Sequence, residues 1–278
     1  GMDTIAIEKV GAEPLKAKLA KIDAIKDTKE MMNFLAEENV KGEGDLLAMY
    51  VAGDEKNSTQ NIASFYQTAL TLPEKGYYTR TDSATAAART ALTSYAEKLF
   101  TLTGSDAATA AKNAKTVLAL ETEIAKSHRT PAEQRDPQKN YNKMSLAVLD
   151  AQQPNIGWSN FFSKMNVKVD SINIGQHGYY TALNQLLVSQ PVDAWKTKLK
   201  FDYIFSNAGL LSKNFRDAAF AYNQKFSGQK KDSDRWKKMV SRTNNGLGEL
   251  LGQLYVKKYF TETAKKRMDK IVTNRHKA

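Results

Sequence analysis

Three histidines, His128, His177 and His276, are the side chains in this 278-residue chain that most readily suggest metal or acid–base chemistry. They stand 49 and 99 residues apart, and none is followed by Glu. A helical zinc site needs two His one turn apart, with a Glu between them as general base; that HExxH pattern is absent. His128 reads as a helix-end residue, where a cation is favoured, and His177, in Gly-Gln-His-Gly-Tyr-Tyr, as a turn residue. With no cysteine in the chain, disulfides, thiolate zinc sites and a cysteine nucleophile are excluded. Neither a nucleophile elbow nor a phosphate-binding loop is present, and Gly42-Glu43-Gly44 lacks the third glycine of a dinucleotide fingerprint, so it reads as a turn. The carboxylate pairs Glu37-Glu38 and Asp232/Asp234 fit polar helix faces or helix starts. Tyr77-Tyr78, Phe161-Phe162 and Tyr179-Tyr180 have apolar neighbours and read as core. No residue is assigned a catalytic, cofactor-binding or metal-binding role.

The totals set the frame in which such residues would sit. A chain with 41% hydrophobic and 26% charged residues can fold as a globular protein with a sizeable core. No apolar run approaches the roughly 18 residues of a membrane span. Gly1 ahead of Met2 reads as a vector scar, so the lack of a leader carries no information on location. The net charge is +11, but residues 257–278 hold eight Lys/Arg against two acids. Charge concentrated in one terminal segment points to a solvated or partner-facing helix rather than a nucleic-acid surface.

Periodicity predicts a predominantly α protein with at most a minor β-hairpin or short strand. A helix from about Pro14 places Leu15, Leu19 and Ile22 on one side. Asp27 and Glu30 give a capping-box pattern ahead of MMNFLAEEN. LLAMYVAGDEKNSTQNIASFYQ fits a strand edge or a short helix, and TLPEKGYY, with Pro73 and Gly76, a loop or hairpin. Two alanine-rich helices follow, one from Asp82 to Gly104 and one capped by Ser105; they should pack closely as a hairpin. Thr130-Pro131-Ala132-Glu133 is a strong helix start. SLAVLD and WSNFFSKM are short helices, VKVDSINIG is a strand candidate, and helices are expected at about 179–189, 192–207 and 210–226. The chain has no fixed-period repeat. Ser227–Phe260 reads as one long helix on which Trp236, Val240, Leu247, Leu250, Leu251, Leu254 and Tyr255 form a buried stripe. Trp236 is expected inward among Arg235, Lys237, Lys238 and Arg242, and Gly248 and Gly252 would let another backbone approach.

Four separated stretches carry a resemblance. AIEKVGAEPL, DEKNSTQNI with LPEKGYY, RDPQKNYNKMSLAVL, and SGQ…RW…LGELLGQLYVKKYF resemble, in order, motifs of the N-terminal region of neprilysin-like zinc metallopeptidases (the neprilysin, endothelin-converting-enzyme and bacterial oligoendopeptidase O type). The likeness spans nearly the whole chain. It implies a mainly helical N-terminal lobe over residues 1–278, facing a C-terminal catalytic lobe of the same polypeptide across a closed cavity that admits short peptides. One zinc, held in that other half by HExxH and a downstream Glu, would activate the attacking water. Residues 1–25 and 257–278 are expected to pack on the catalytic lobe.

The family motif has an Arg before its Gly where this chain has Val10. Valine cannot pair with a peptide's terminal carboxylate, which favours an endopeptidase. Val10, Asn142 and Lys143 are the candidates for cavity lining. The expected partners are the catalytic lobe and peptides, with no nucleic acid. The family implies an extracytoplasmic, periplasmic or cell-surface location, and the lack of cysteine fits a bacterial member. The alternative is a stand-alone helical binding protein of the same descent that uses its basic C-terminal helix for a partner.

Overall fold

The computed structural model describes residues 2–277, without the side chains of His276 and Lys277. The chain divides into two compact units. The larger is Ile7–Ser227; the smaller joins the residues up to Ala6 with those from Gly228 on.

In the larger unit, a 3-10 turn at Glu13–Leu15 buries Leu15 and α2 (Lys16–Asp23), which follows it, buries Ile22. Asp27 caps α3 (Thr28–Val40) by accepting from Glu30 N at 2.8 Å; the Glu30 carboxylate reaches back to Lys26 N at 2.9 Å. That helix ends at Gly42, whose φ of +83° lets Glu43 N bond back to Glu38 O, a glycine-dependent stop. The ambiguous stretch after it is a hairpin, β1 (Ala48–Asp54) and β2 (Asn57–Tyr66). After Pro73 comes a single helical turn, α4 (Gly76–Thr79), rather than a hairpin.

Helices α5 (Ser83–Leu102) and α6 (Ala107–Lys126) pack on each other through Ala88, Ala91, Ala96, Ala110 and Ala114. The cap of α6 is Asp106 and not Ser105: its carboxylate accepts from Thr109 N and Thr109 Oγ1, at 2.9 and 2.6 Å. At Thr130 the predicted capping box forms, with Thr130 N donating to Glu133 Oε2 at 2.7 Å. It starts only the 3-10 turn Glu133–Arg135, because Pro137 bars continuation.

The remaining elements of this unit are β3 (Lys143–Ser145), α7 (Leu146–Gln152), α8 (Trp158–Lys164), β4 (Ser171–Ile174), α9 (His177–Ser189), α10 (Val192–Asn207) and α11 (Lys213–Ser227). The four strands form one sheet in the order β1-β2-β4-β3. β1 and β2 are antiparallel, β2 and β4 parallel, β3 and β4 antiparallel.

Phe65 of β2 anchors one core, edge-on to Trp158 at 4.9 Å and to Phe162 at 5.8 Å. Tyr179 and Tyr180 complete it from α9. A second core lies among α5, α6, α10 and α11, around Leu92, Tyr95, Val117, Phe201 and Tyr222. Apart from Tyr77, which is half-buried, the aromatic pairs are core residues as expected.

In the smaller unit the long helix is shorter than its sequence implies. α12 runs Arg235–Tyr259 and is followed by α13 (Glu262–Lys277). Residues 228–234 are non-helical, beginning at Gly228 with φ of +66°. α12 also kinks at Leu247 (φ −121°, ψ 17°), between Gly246 and Gly248, where the helix is least supported. The buried stripe is overturned. Trp236 is 53% exposed, Leu250 59% and Leu254 65%. A Cβ on Gly248 or Gly252 would meet nothing within 4 Å.

Candidate functional site

Two of the motif stretches, far apart in sequence, meet at the tip of the β1–β2 hairpin. The strand register shifts between Gly53 and Asp54. Such an irregularity re-aims a side chain, and Asp54 turns from the exposed strand to a position only 2% exposed. Its carboxylate accepts from Tyr141 OH at 2.8 Å, Lys143 Nζ at 2.9 Å and Lys56 N at 2.9 Å. The Lys56 ammonium lies 4.5 Å over the Tyr141 ring. Lys143 first, then Lys56 N and Tyr141, hold the Asp54 carboxyl down at about 2, and the same contact raises Lys143.

Asn142, between these partners, is equally committed. Its backbone N donates to Asn173 Oδ1 at 2.7 Å, and its Nδ2 donates to Ile174 O at 2.9 Å and Lys139 O at 3.0 Å. The network continues inward. Gln176 Nε2 donates to Asn140 Oδ1 at 2.9 Å, while Gln176 Oε1 accepts from Gln67 N at 2.8 Å. Gln67 Nε2 is 3.3 Å from His128 Nδ1. His128 lies just beyond α6 and is buried; burial, more than the nearby Lys75, lowers it to about 4. It is therefore neutral at physiological pH.

The structure thus brings Asn142 and Lys143 together with Asp54. Val10 ends α1 (Thr4–Val10) and is 46% exposed. His177 is the first residue of α9 rather than a loop residue, with Nε2 3.1 Å from Gln152 Oε1.

A second polar cluster, unmarked by any motif, lines a cavity of about 300 Å³ beside α6 and α10. Lys198 Nζ sits 2.6 Å from Asp202 Oδ2 and 3.1 Å from Glu121 Oε1. Glu121 also accepts from Thr71 Oγ1 at 2.5 Å and Tyr78 OH at 2.6 Å. Burial works against the Lys198 charge, but the two carboxylates hold its pKa above the ordinary value.

Among the described residues Asp202 has only Lys198 for a partner and shares it with Glu121; burial pushes its carboxyl up to about 7. Asp45, across the cavity, is also raised by burial. The i, i+4 spacing of Lys198 and Asp202 on α10 is the sequence signal for this pair. Glu38, taken from sequence as a solvated acid, is likewise buried, at 2.6 Å from both Lys18 and Lys41.

Asp54 and Glu121 each have three partners and so hold elements together rather than present a reactive group, whereas the buried Nε2 of His128 has no hydrogen-bond partner among the described residues. Among the described residues no three of His, Cys, Asp and Glu are grouped to hold a metal. No helix of the described chain is long and apolar enough to cross a membrane.

Comparison with known proteins agrees with the motif order. The N-terminal model of peptidase family M13 matches residues 1–278. Mouse neprilysin is 25% identical over 253 residues, which is 83% of this chain and 33% of neprilysin. Bovine endothelin-converting enzyme 1 is 28% identical over 239 residues, 83% of this chain and 31% of that enzyme. The chain thus spans about a third of the length of these curated relatives. Among solved structures, the Mycobacterium tuberculosis zinc metalloprotease Zmp1 in its open state superposes with a TM-score of 0.90 at 29% identity. It covers 98% of this chain and 43% of its own. PepO from Lactobacillus rhamnosis shares the fold, with a TM-score of 0.86 at 18% identity, over 98% of this chain and 43% of its own.

Proposed function

Given that the chain belongs to peptidase family M13 as its N-terminal region, we propose that it is the non-metal-binding lobe of a zinc metalloendopeptidase acting on short peptides. The observation that carries this reading is the apolar surface of the smaller unit. Trp236, Val240, Leu250, Leu254, Tyr255 and Tyr259 on α12, with Met268, Ile271 and Val272 on α13, are each at least 48% exposed. Exposed large apolar side chains recurring along two helices point to an interface, and the relatives extend well beyond the region matched here.

The partner is then the C-terminal catalytic lobe of the same polypeptide. Residues 257–278, and 1–25 with them, pack on it, and Gly248 and Gly252 admit its backbone. That lobe supplies the single zinc and the general base; this chain supplies the opposite wall of the peptide cavity. Val10, Asn142 and Lys143 are assigned to that wall, the latter two as its frame through Asp54 and Ile174 rather than as reacting groups. Val10 offers no charge to a terminal carboxylate, so amidated and free peptides are expected to be cut at similar rates. The location follows the family, outside the cytoplasm and, for a bacterial member, periplasmic or at the cell surface.

The test is made on the purified 278-residue chain. It is expected to bind less than a tenth of an equivalent of zinc and to leave a fluorogenic peptide uncut. Stoichiometric zinc with turnover would overturn the reading. The rival, a stand-alone binding protein using its basic C-terminal helix, would be supported by a partner that binds the apolar face of α12 in place of a catalytic lobe.

A further inference from the structure

The β1–β2 hairpin leaves one long strand edge unpaired. Among the described residues, β1 lies at the end of the sheet and pairs only with β2. The opposite edge strand, β3, is three residues long. Along β1, Tyr50 is 49% and Val51 61% exposed, and Ala52 and Gly53 are exposed too. Every second residue of an edge strand turns its N–H and C=O away from its neighbour.

Proteins normally blunt such an edge with lysine, proline or inward charge. Ala48–Gly53, AMYVAG, contains none of these. Beside the strand lies a cavity of about 280 Å³ whose wall includes Asn39, Gly42, Gly44, Met49, Tyr50 and Tyr66. Tyr50 and Tyr66 stack with ring centroids 5.2 Å apart, and their hydroxyls are 3.0 Å apart, which fixes one side of the cavity. No charged side chain lines it.

We propose that β1 is a docking edge for an extended peptide that adds a fifth strand to the sheet and places one uncharged side chain in the cavity between Asn39 and Tyr66. A row of unpaired backbone groups is matched by another strand, and the main-chain bonds give affinity while the adjoining cavity gives selectivity. The charge-free strand and wall match a neutral segment and reject a buried ion. Docking here does not depend on a catalytic lobe, and it is measured on the 278-residue chain itself.

The probe is a fluorescent hexapeptide of alternating threonine and valine, blocked at both ends. Two derivatives carry N-methyl groups on alternate amides, one set for each edge of the peptide. The parent peptide is expected to bind, one methylated isomer to bind at least tenfold more weakly, and the other to be unchanged. Replacing the central valine of the peptide by glutamate or lysine should weaken binding at least fivefold.

Val51→Pro and Ala52→Pro are made in parallel, since one removes an outward N–H and the other a bond to β2. The variant with an unchanged thermal melt is expected to lose binding at least tenfold. The methylated peptides keep the test valid if both variants unfold. No binding of the parent peptide, or equal loss with both methylated isomers, overturns the proposal. So does a doubled mass in sedimentation that the proline variants abolish, which would give the edge to a second copy of the chain.

Discussion

Asp54 shows how a surface motif becomes a framework contact. Three donors meet a carboxylate that the register shift has taken out of water. Its folded-state carboxyl lies at about 2, below its ordinary 3.8. A lowered acid contributes stability that is present above about pH 4 and lost as pH falls through 2. Asp54→Asn should therefore lower the urea midpoint at pH 7, and the deficit should shrink toward pH 2. Asp202 has the opposite sign. Its carboxyl is raised from 3.8 to about 7, so the folded chain holds a proton there that the unfolded chain has lost, and stability falls as pH rises from about 4 to 7. Urea melts of Asp202→Asn, compared with the parent at pH 5 and pH 8, should show the variant gaining in relative terms at the higher pH. Glu121→Ala leaves Lys198, Thr71 and Tyr78 without their shared acceptor and should cost about 3–5 kcal/mol, read from the same melts at pH 7.

Among the elements, α5 and α6 carry the clearest local logic. Ala110 and Ala114 are fully buried against the neighbouring helix, so Ala114→Leu should overpack the contact and destabilise the chain by about 1–3 kcal/mol in denaturant melts. This hairpin was readable because alanine spacing and the break at Gly104 act locally. α10 forms at Val192–Asn207 for the same reason: its Trp195 and Leu199 enter one core and its Phe201 and Ile204 the other. Strand β3 carried no such signal. Three residues cannot show a period, and what makes them a strand is pairing with the distant β4 at Lys143↔Asn173 and Met144↔Ile172. The Thr130 capping box forms as its residues predict, but Pro137 limits what it starts to a 3-10 turn.

The whole molecule is where sequence periodicity and burial part company. α12 has a well-formed apolar stripe, and its spacing foretold a buried face. The structure leaves that face exposed because periodicity records that a surface is to be covered, not which chain covers it. The candidate site was legible in the same divided way. The motif order identified Asn142 and Lys143, but their common partner Asp54 emerged only when the hairpin register turned it inward. Glu121 and Lys198 had no motif at all. On the proposed reading, Leu250→Asn and Leu254→Asn should change the stability of this chain by no more than about 0.5 kcal/mol, while disrupting a protein that includes the rest of the family's length. The most direct measurement is the intact mass and zinc content of the product of the complete native gene. A single chain of roughly twice 31.0 kDa carrying one zinc and cutting peptides is the predicted result. A zinc-free product near 31.0 kDa would contradict it.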